Sequence, residues 1–289
     1  HLILSLIAFG MMANLMNIAT NTQACLVEKM YGRNIMSSFH GLWSLGGFSG
    51  GIIGAVFANT LLPIEAHFAT IIAMSLVIIA VGFRFLVDDA TAKAEEEDVP
   101  KFSFRTIDPI LFLLGLMGFA GMFCEGTVYD WSGVYFSSVV KPDEAFIRAG
   151  YVAGMGAMTL GRFLADGFVT KYGPARVLKV CGGLIVGGLW LAAALPYLIP
   201  ATFGFLLVGF GISSSVPICY SIAGKLGTIK ASIAITIVSS ISFFGFLVGP
   251  PVIGWLAEVS GLRMAISIAA CLGLMIAFVA TKVSKRISI

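Results

Sequence analysis

Glu125 is the strongest candidate for chemistry in this chain. Sixteen uncharged residues, Pro109 to Cys124, precede it. At helical spacing Tyr129 and Ser132, four and seven residues on, share its face. A carboxylate so deep in an apolar stretch can carry a proton, hold a polar ligand, or tie helices together by hydrogen bonds. In a bilayer its insertion costs roughly 2.5–3.5 kcal/mol, which predicts that it faces other helices rather than lipid. Asp130 and Trp131 lie nearer the end of the same stretch, and Trp131 also suits a membrane–water interface. His40 and Ser44 stand four apart on one predicted face, with Trp43 beside them. A histidine there can ligate or relay protons, or simply fill a packed site. Asn14, Asn17 and Asn21 follow an i, i+3, i+7 stripe. That stripe reads as a polar face towards a cavity, or as amides hydrogen-bonding between helices. Tyr220, Ser239, Ser242 and Phe243 are weaker candidates for an opposing wall. A second island of charge runs from Gly161 to Arg176 and holds Arg162, Asp166, Lys171 and Arg176.

The composition says what must position these residues. Hydrophobic residues make up 58% of the 289 and charged residues 11%, against about 25% charged in soluble domains. Most of this apolar surface must therefore face lipid. The net charge of +3 is too small and scattered to suggest nucleic acid. The five cysteines stand singly in apolar runs, with no paired spacing. No phosphate loop, zinc pair or nucleotide motif is present, so neither an enzyme nor an ATP-driven pump is expected, and no cofactor or metal. Gly47-Phe48-Ser49-Gly50 has the form of an intramembrane serine protease motif, but the only later histidine is His67, one short loop away.

Nine stretches are long and apolar enough to span a bilayer: 2–27, 35–62, 66–87, 109–138, 145–165, 175–196, 201–224, 231–257 and 262–283. Pro196 and Pro200 divide what is otherwise one uncharged run. Fifteen Lys and Arg residues fall in loops on one side and three (Lys141, Arg148 and Arg263) on the other. The positive-inside rule makes the richer side cytoplasmic, with the C-terminus inside. The island at 161–176 then reads as a cytoplasmic turn, and the acidic segment 88–107 as a cytoplasmic linker. Three stretches precede the linker and six follow it. A glycine stripe (Gly46, Gly47, Gly50, Gly51, Gly54) is echoed by Gly245, Gly249 and Gly254. Such repeated halves mark many secondary transporters.

Gly161-Arg162-x-x-x-Asp166 with Lys171-Tyr172-Gly173-x-x-Arg176 resembles the cytoplasmic signature loop of the major facilitator superfamily. The island departs from that pattern in having Gly167 after the Asp and in the late position of Gly173. In the family this loop follows the second and eighth of twelve helices. Here it follows the fifth stretch, which is the eighth if three helices precede His1. Glu125-Gly126-x-x-Tyr129-Asp130-Trp131-Ser132 and Ser38-Phe39-His40-Gly41-x-x-Ser44-x-Gly46-Gly47 are similar to a bacterial branch of fucose-permease-like and MosC-like transporters.

The resemblance implies an all-α polytopic membrane protein with nine of twelve helices in two pseudo-symmetric bundles. Residues 1–87 would end the first bundle and 108–289 would form the second. It also implies a secondary transporter of a small polar solute, a sugar or sugar-like compound, coupled to protons. The setting would be a bacterial inner membrane, with lipids as the other partners and the protein a monomer. A sensor or scaffold on the same fold is the alternative, and filled packing around Glu125 would favour it. Asp166 would latch the two bundles through the N-terminus of the helix near Asn34, beside Arg33. Gly161, Arg162, Lys171, Gly173 and Arg176 would complete this gate.

Overall fold

In hydrocarbon every backbone N–H and C=O must find its partner inside its own segment, so long apolar runs become helices. A computed structural model describes residues 2–58, 63–87 and 107–287, apart from the side chains of 51, 55, 58 and 285–287. Ten α-helices are found among them. They are α1 (Leu2–Tyr31), α2 (Met36–Ala58), α3 (Ile64–Gly82), α4 (Pro109–Tyr135), α5 (Ala149–Tyr172), α6 (Pro174–Ala194), α7 (Leu198–Ser213), α8 (Ser215–Lys225), α9 (Ala231–Ser260) and α10 (Leu262–Ile287). Most of the predicted linker, residues 88–106, lies outside the described residues.

Seven spans are long and apolar enough to cross a membrane, counting α7 and α8 as one. α5 falls short of that measure because it carries Arg162, Asp166 and Lys171. The protein is thus a multi-pass membrane protein.

Helix ends follow local chemistry. Asp108 caps α4, accepting from the Ile110 N–H at 2.9 Å, with Pro109 in the first turn. The island predicted as a turn is helical as far as Tyr172. The chain turns only at Gly173, whose φ of 80° is open to glycine, and Pro174 starts α6. Asp166 and Lys171 therefore sit on a rigid helix. The stretch 201–224 is in turn broken at Ser214. Pro217 has no N–H to offer the carbonyl four residues back, at Ser213.

Helices α4 and α9, α6 and α10, and α5 and α7 pack as close pairs, with α6 also against α7. α1 and α2 dock on this group through α5, α8 and α9. Small residues set the closeness of the pairs. At the α6–α7 crossing Gly188 faces Gly204, and a Cβ on either would fall on the other's carbonyl oxygen. The two glycine stripes that echo in sequence do not echo in packing. Gly245 and Gly249 lie against the α4 backbone at Phe119 and Phe123, whereas Gly46, Gly47 and Gly50 meet nothing within 4 Å. α3 buries none of its described residues and turns Ile72, Leu76, Ile78 and Ile79 outward.

Neighbouring glycines provide a test. A Cβ at Gly187 meets nothing within 4 Å, unlike one at Gly188. Gly188→Ala is expected to destabilise by about 1–3 kcal/mol through overpacking. Gly187→Ala is expected to be neutral or to gain up to about 1 kcal/mol in helix propensity. Thermal unfolding of the two variants in detergent should separate them.

Candidate functional site

Six helices converge on a cavity of about 140 Å³. Its polar wall is made by Asn17, Thr20 and Asn21 of α1, His40 of α2, Glu125 of α4, Arg162 of α5 and Tyr220 of α8, and α9 adds Phe243. Arg162 and Glu125 form an ion pair at 3.4 Å, their side chains only 6% and 12% exposed. One guanidinium nitrogen reaches both carboxylate oxygens at 3.4 Å. That is longer than the roughly 2.7–2.9 Å of a tight charge-assisted bond, so the pair is loosely held. Another guanidinium nitrogen donates to Ser44 Oγ, so α5 is tied to α2 as well as α4. Asn21 Oδ1 and His40 Nε2 lie 3.1 Å apart, and Asn21 Nδ2 donates to the Asn17 carbonyl at 2.9 Å. His40 also meets the Tyr220 ring edge to face, 5.8 Å between centroids. The cavity holds polar groups and charges of both signs, and its size suits a small solute.

A second cluster closes the end where the basic loops gather. The first N–H groups of a helix have no partner in the helix and carry about half a positive charge between them. At α2 two buried carboxylates from different helices take them. Glu28 Oε2 accepts from Ile35 N at 3.3 Å and Met36 N at 2.8 Å. Asp166 accepts from Ser37 N at 3.0 Å, Ser38 N at 2.8 Å and Ser38 Oγ at 2.5 Å. The other oxygen of Glu28 takes Ser221 Oγ and an ion pair with Lys225 of α8. Lys225 also donates to Asn34 Oδ1 at 3.4 Å, and Asn34 Nδ2 donates to Thr170 Oγ1 at 3.3 Å. α1 and α2 are thereby fastened to α5 and α8.

A profile of the Major Facilitator Superfamily matches residues 1–228. The chain belongs to that superfamily. An uncharacterized MFS-type transporter of Yersinia pestis is 33% identical over 286 residues, covering 98% of this chain and 72% of its own length. An uncharacterized transporter of Sinorhizobium fredii is also 33% identical, over 96% of this chain and 73% of its own. Membrane protein MosC of Rhizobium meliloti is 28% identical, over 94% and 66%. Among solved structures, the Escherichia coli fucose:proton symporter superposes with a TM-score of 0.52 at 17% identity. It covers 68% of this chain, and this chain spans 45% of its length. That likeness shows a major facilitator fold.

Within this fold the residues singled out by sequence fall into three groups. Asn17, Asn21, His40, Trp43 and Glu125 line the cavity, and Ser44 stands behind it on Arg162. Asp166, with Gly173, lines the clamp at the α2 N-terminus. The third group belongs to neither. Asn14 and Asp130 are exposed. Tyr129 is 41% exposed and packs on Tyr151 and Phe246. Trp131 donates to the Pro250 carbonyl at 3.1 Å and so joins α4 to α9. Ser239 and Ser242 are buried, bonded to carbonyls of their own helix. Arg33, Lys171 and Arg176 are exposed, and Gly161 packs on Ser213.

Two assignments move. Arg162, grouped by sequence with the gate, lies one turn before Asp166 on α5 and turns inward to Glu125. Glu28, with Lys29 and Arg33, reads in sequence as part of a cytoplasmic charge cluster. It is 1% exposed and bonds four groups from three segments. No spacing signals this, because Lys225 lies 197 residues away.

Breaking a buried pair costs about 3–5 kcal/mol, and Lys225 is a third exposed, so the lower end applies. Glu28→Ala is expected to destabilise the protein by about 3 kcal/mol, and Asp130→Ala, at an exposed position, by less than about 0.5 kcal/mol. Thermal and denaturant unfolding of the two variants checks the difference.

Proposed function

We propose that this chain belongs to a secondary active transporter that moves a small polar solute, a sugar or sugar-like compound, across the bacterial inner membrane. Its mechanism is alternating access coupled to protons. The observation that carries this reading is the loose Glu125–Arg162 pair on the wall of a small polar cavity. In a bilayer such a pair is expensive to keep, and family members use intramembrane charges of this kind to move ions and solutes. The cavity is not filled by packing, which favours a transporter over a scaffold. The related E. coli structure is described as a fucose:proton symporter. Its title motivates both the solute class and the ion.

In this reading residues 1–87 and 108–289 belong to two bundles that rock about the cavity. The positive-inside asymmetry puts the basic loops and the C-terminus in the cytoplasm. The clamp at the α2 N-terminus, centred on Asp166, is then a cytoplasmic gate, closed in the state described here. Its bonds run largely to backbone N–H groups at one helix end, so a small rotation of α2 against α5 releases them together. Glu125 is the proton carrier. Protonation removes its charge and frees the Arg162 guanidinium, so proton and solute occupancy are linked through one ion pair. No cofactor or metal takes part.

Two variants test the scheme in proteoliposomes. Glu125→Gln is expected to abolish proton-driven uptake or efflux while leaving solute exchange; an unaltered pH dependence in that variant contradicts the proton role. Asp166→Asn is expected to weaken closure at the cytoplasmic end and raise the labelling rate of cysteines placed in the cavity from that side. Unchanged transport and labelling would remove the latch.

A further inference from the structure

One face of α5 carries Arg162, Asp166 and Thr170 towards the central cavity and α2. Another carries Leu164, Phe168 and Tyr172 at four-residue spacing. These three line a separate groove of about 580 Å³ between α5 and α6. The groove exists because α5 and α6 each pack closely on α7 but touch one another little. Val177, Val180 and Leu184 form its α6 wall, and Phe210 of α7 lies at its floor. Ser213 and Ser214, also in the lining, are buried and bond to each other at 3.0 Å, so they add little polar surface. Leu164, Phe168 and Val180 are exposed.

Length and charge say what fits there. At 1.5 Å per residue, Gly161 to Tyr172 covers about 17 Å of groove and Arg176 to Leu184 about 12 Å. One leaflet is half of a hydrocarbon core of about 30 Å, or about 15 Å. The groove is therefore as long as one leaflet is deep. Its end at the Gly173 turn is basic. Arg176 and Tyr172 line that end, and Lys171 Nζ stands 5.1 Å from the centroid of the Tyr172 ring. Among the described residues no carboxylate pairs with Arg176 or Lys171. Asp166 is the one acidic residue between Glu144 and Glu258, and it is bonded to the N-terminus of α2. Arg176 also stands in the first turn of α6, at the positive pole of that helix, so nothing local offsets its charge.

We propose that this groove is a site for one anionic phospholipid. An acyl chain lies along Leu164, Phe168 and Val180, and the headgroup phosphate is held by Arg176 and Lys171. A guanidinium matches phosphate oxygens in pairs, and a tyrosine ring suits the level of the headgroups. Basic pockets between helices at a membrane surface select anionic headgroups. A zwitterionic headgroup brings its own cation to two others, and a free phosphate leaves the groove empty. The assignment does not depend on the transport reading.

The test is native mass spectrometry of the whole chain in mild detergent, titrated with dioleoylphosphatidylglycerol or dioleoylphosphatidylcholine. The two share acyl chains and differ in net charge. One phosphatidylglycerol is expected to be retained at least about tenfold more tightly than phosphatidylcholine. Replacing both cations, Lys171→Gln with Arg176→Gln, is expected to weaken it by about tenfold or more. Lys282→Gln removes an exposed cation of α10 and is expected to leave binding unchanged. Val180→Trp puts an indole into the groove and is expected to weaken phosphatidylglycerol by a similar factor with both cations in place. All these positions are exposed, so melting temperatures in lipid-free detergent are expected to match the wild type. Millimolar inorganic phosphate is expected not to displace the lipid. Four results overturn the assignment: equal retention of the two lipids, groove variants that bind phosphatidylglycerol like the wild type, an equal loss in Lys282→Gln, or displacement by phosphate. The third would make the attraction diffuse, and the fourth would leave a phosphate site without a lipid.

Discussion

A guanidinium and a carboxylate at membrane depth cannot remain charged without each other, and the rest of this fold is arranged around that pair. Glu125 and Arg162 are donated by adjacent helices of the larger group, α4 and α5. Their attraction must offset the loss of water around both ions, which costs several kcal/mol per ion in a protein interior. At 3.4 Å the offset is incomplete, and the guanidinium recruits Ser44 from α2. In the proposed cycle the pair is poised, since one added proton or one competing acceptor would change its balance. A fully bonded, short bidentate pair would be a structural strut and a poor switch.

Burial explains the second cluster. The open N–H groups of α2 are packed inside the protein and need acceptors there. Glu28 comes from the preceding helix and Asp166 from across the interface. One carboxylate holds α2 to its own neighbour and the other holds it to the opposing group. Lys225 neutralises the excess negative charge that two carboxylates bring to one place. Because the acceptor groups sit on helices, with Asp166 a full turn inside α5, the proposed gate would open by rigid movement rather than by melting a loop.

Tight and loose interfaces divide along the same lines. At Gly188 and Gly204 backbones meet and a single methyl group is too large. Where α1 and α2 meet α5 and α8, contacts are side chains, polar bonds and a cavity. Close backbone packing resists movement because it is lost over a fraction of an ångström, whereas polar side-chain bonds can be exchanged for others.

Much of the architecture was legible from residues alone. Apolar runs of spanning length fall on the observed helices, since in hydrocarbon no other backbone arrangement is available to them. Glu125 stood out because a charge after sixteen apolar residues has no innocent place to go. Asp166 stood out through the island around it. The sequence could not tell which way each helix turns. A helix that is apolar on every side has no stripe to orient it, so Asn14 and Asn17, three residues apart on α1, could not be separated into exposed and cavity-facing. Nor could it show that Arg162 leaves the island for Glu125, or that Glu28 meets Lys225. Those partnerships depend on how α1, α5 and α8 lie against one another. Composition and charge determined that this chain crosses the membrane and where its charges had to hide; packing alone decided which charges hide together, because contact across 197 residues is a property of helix positions and leaves no period in the chain.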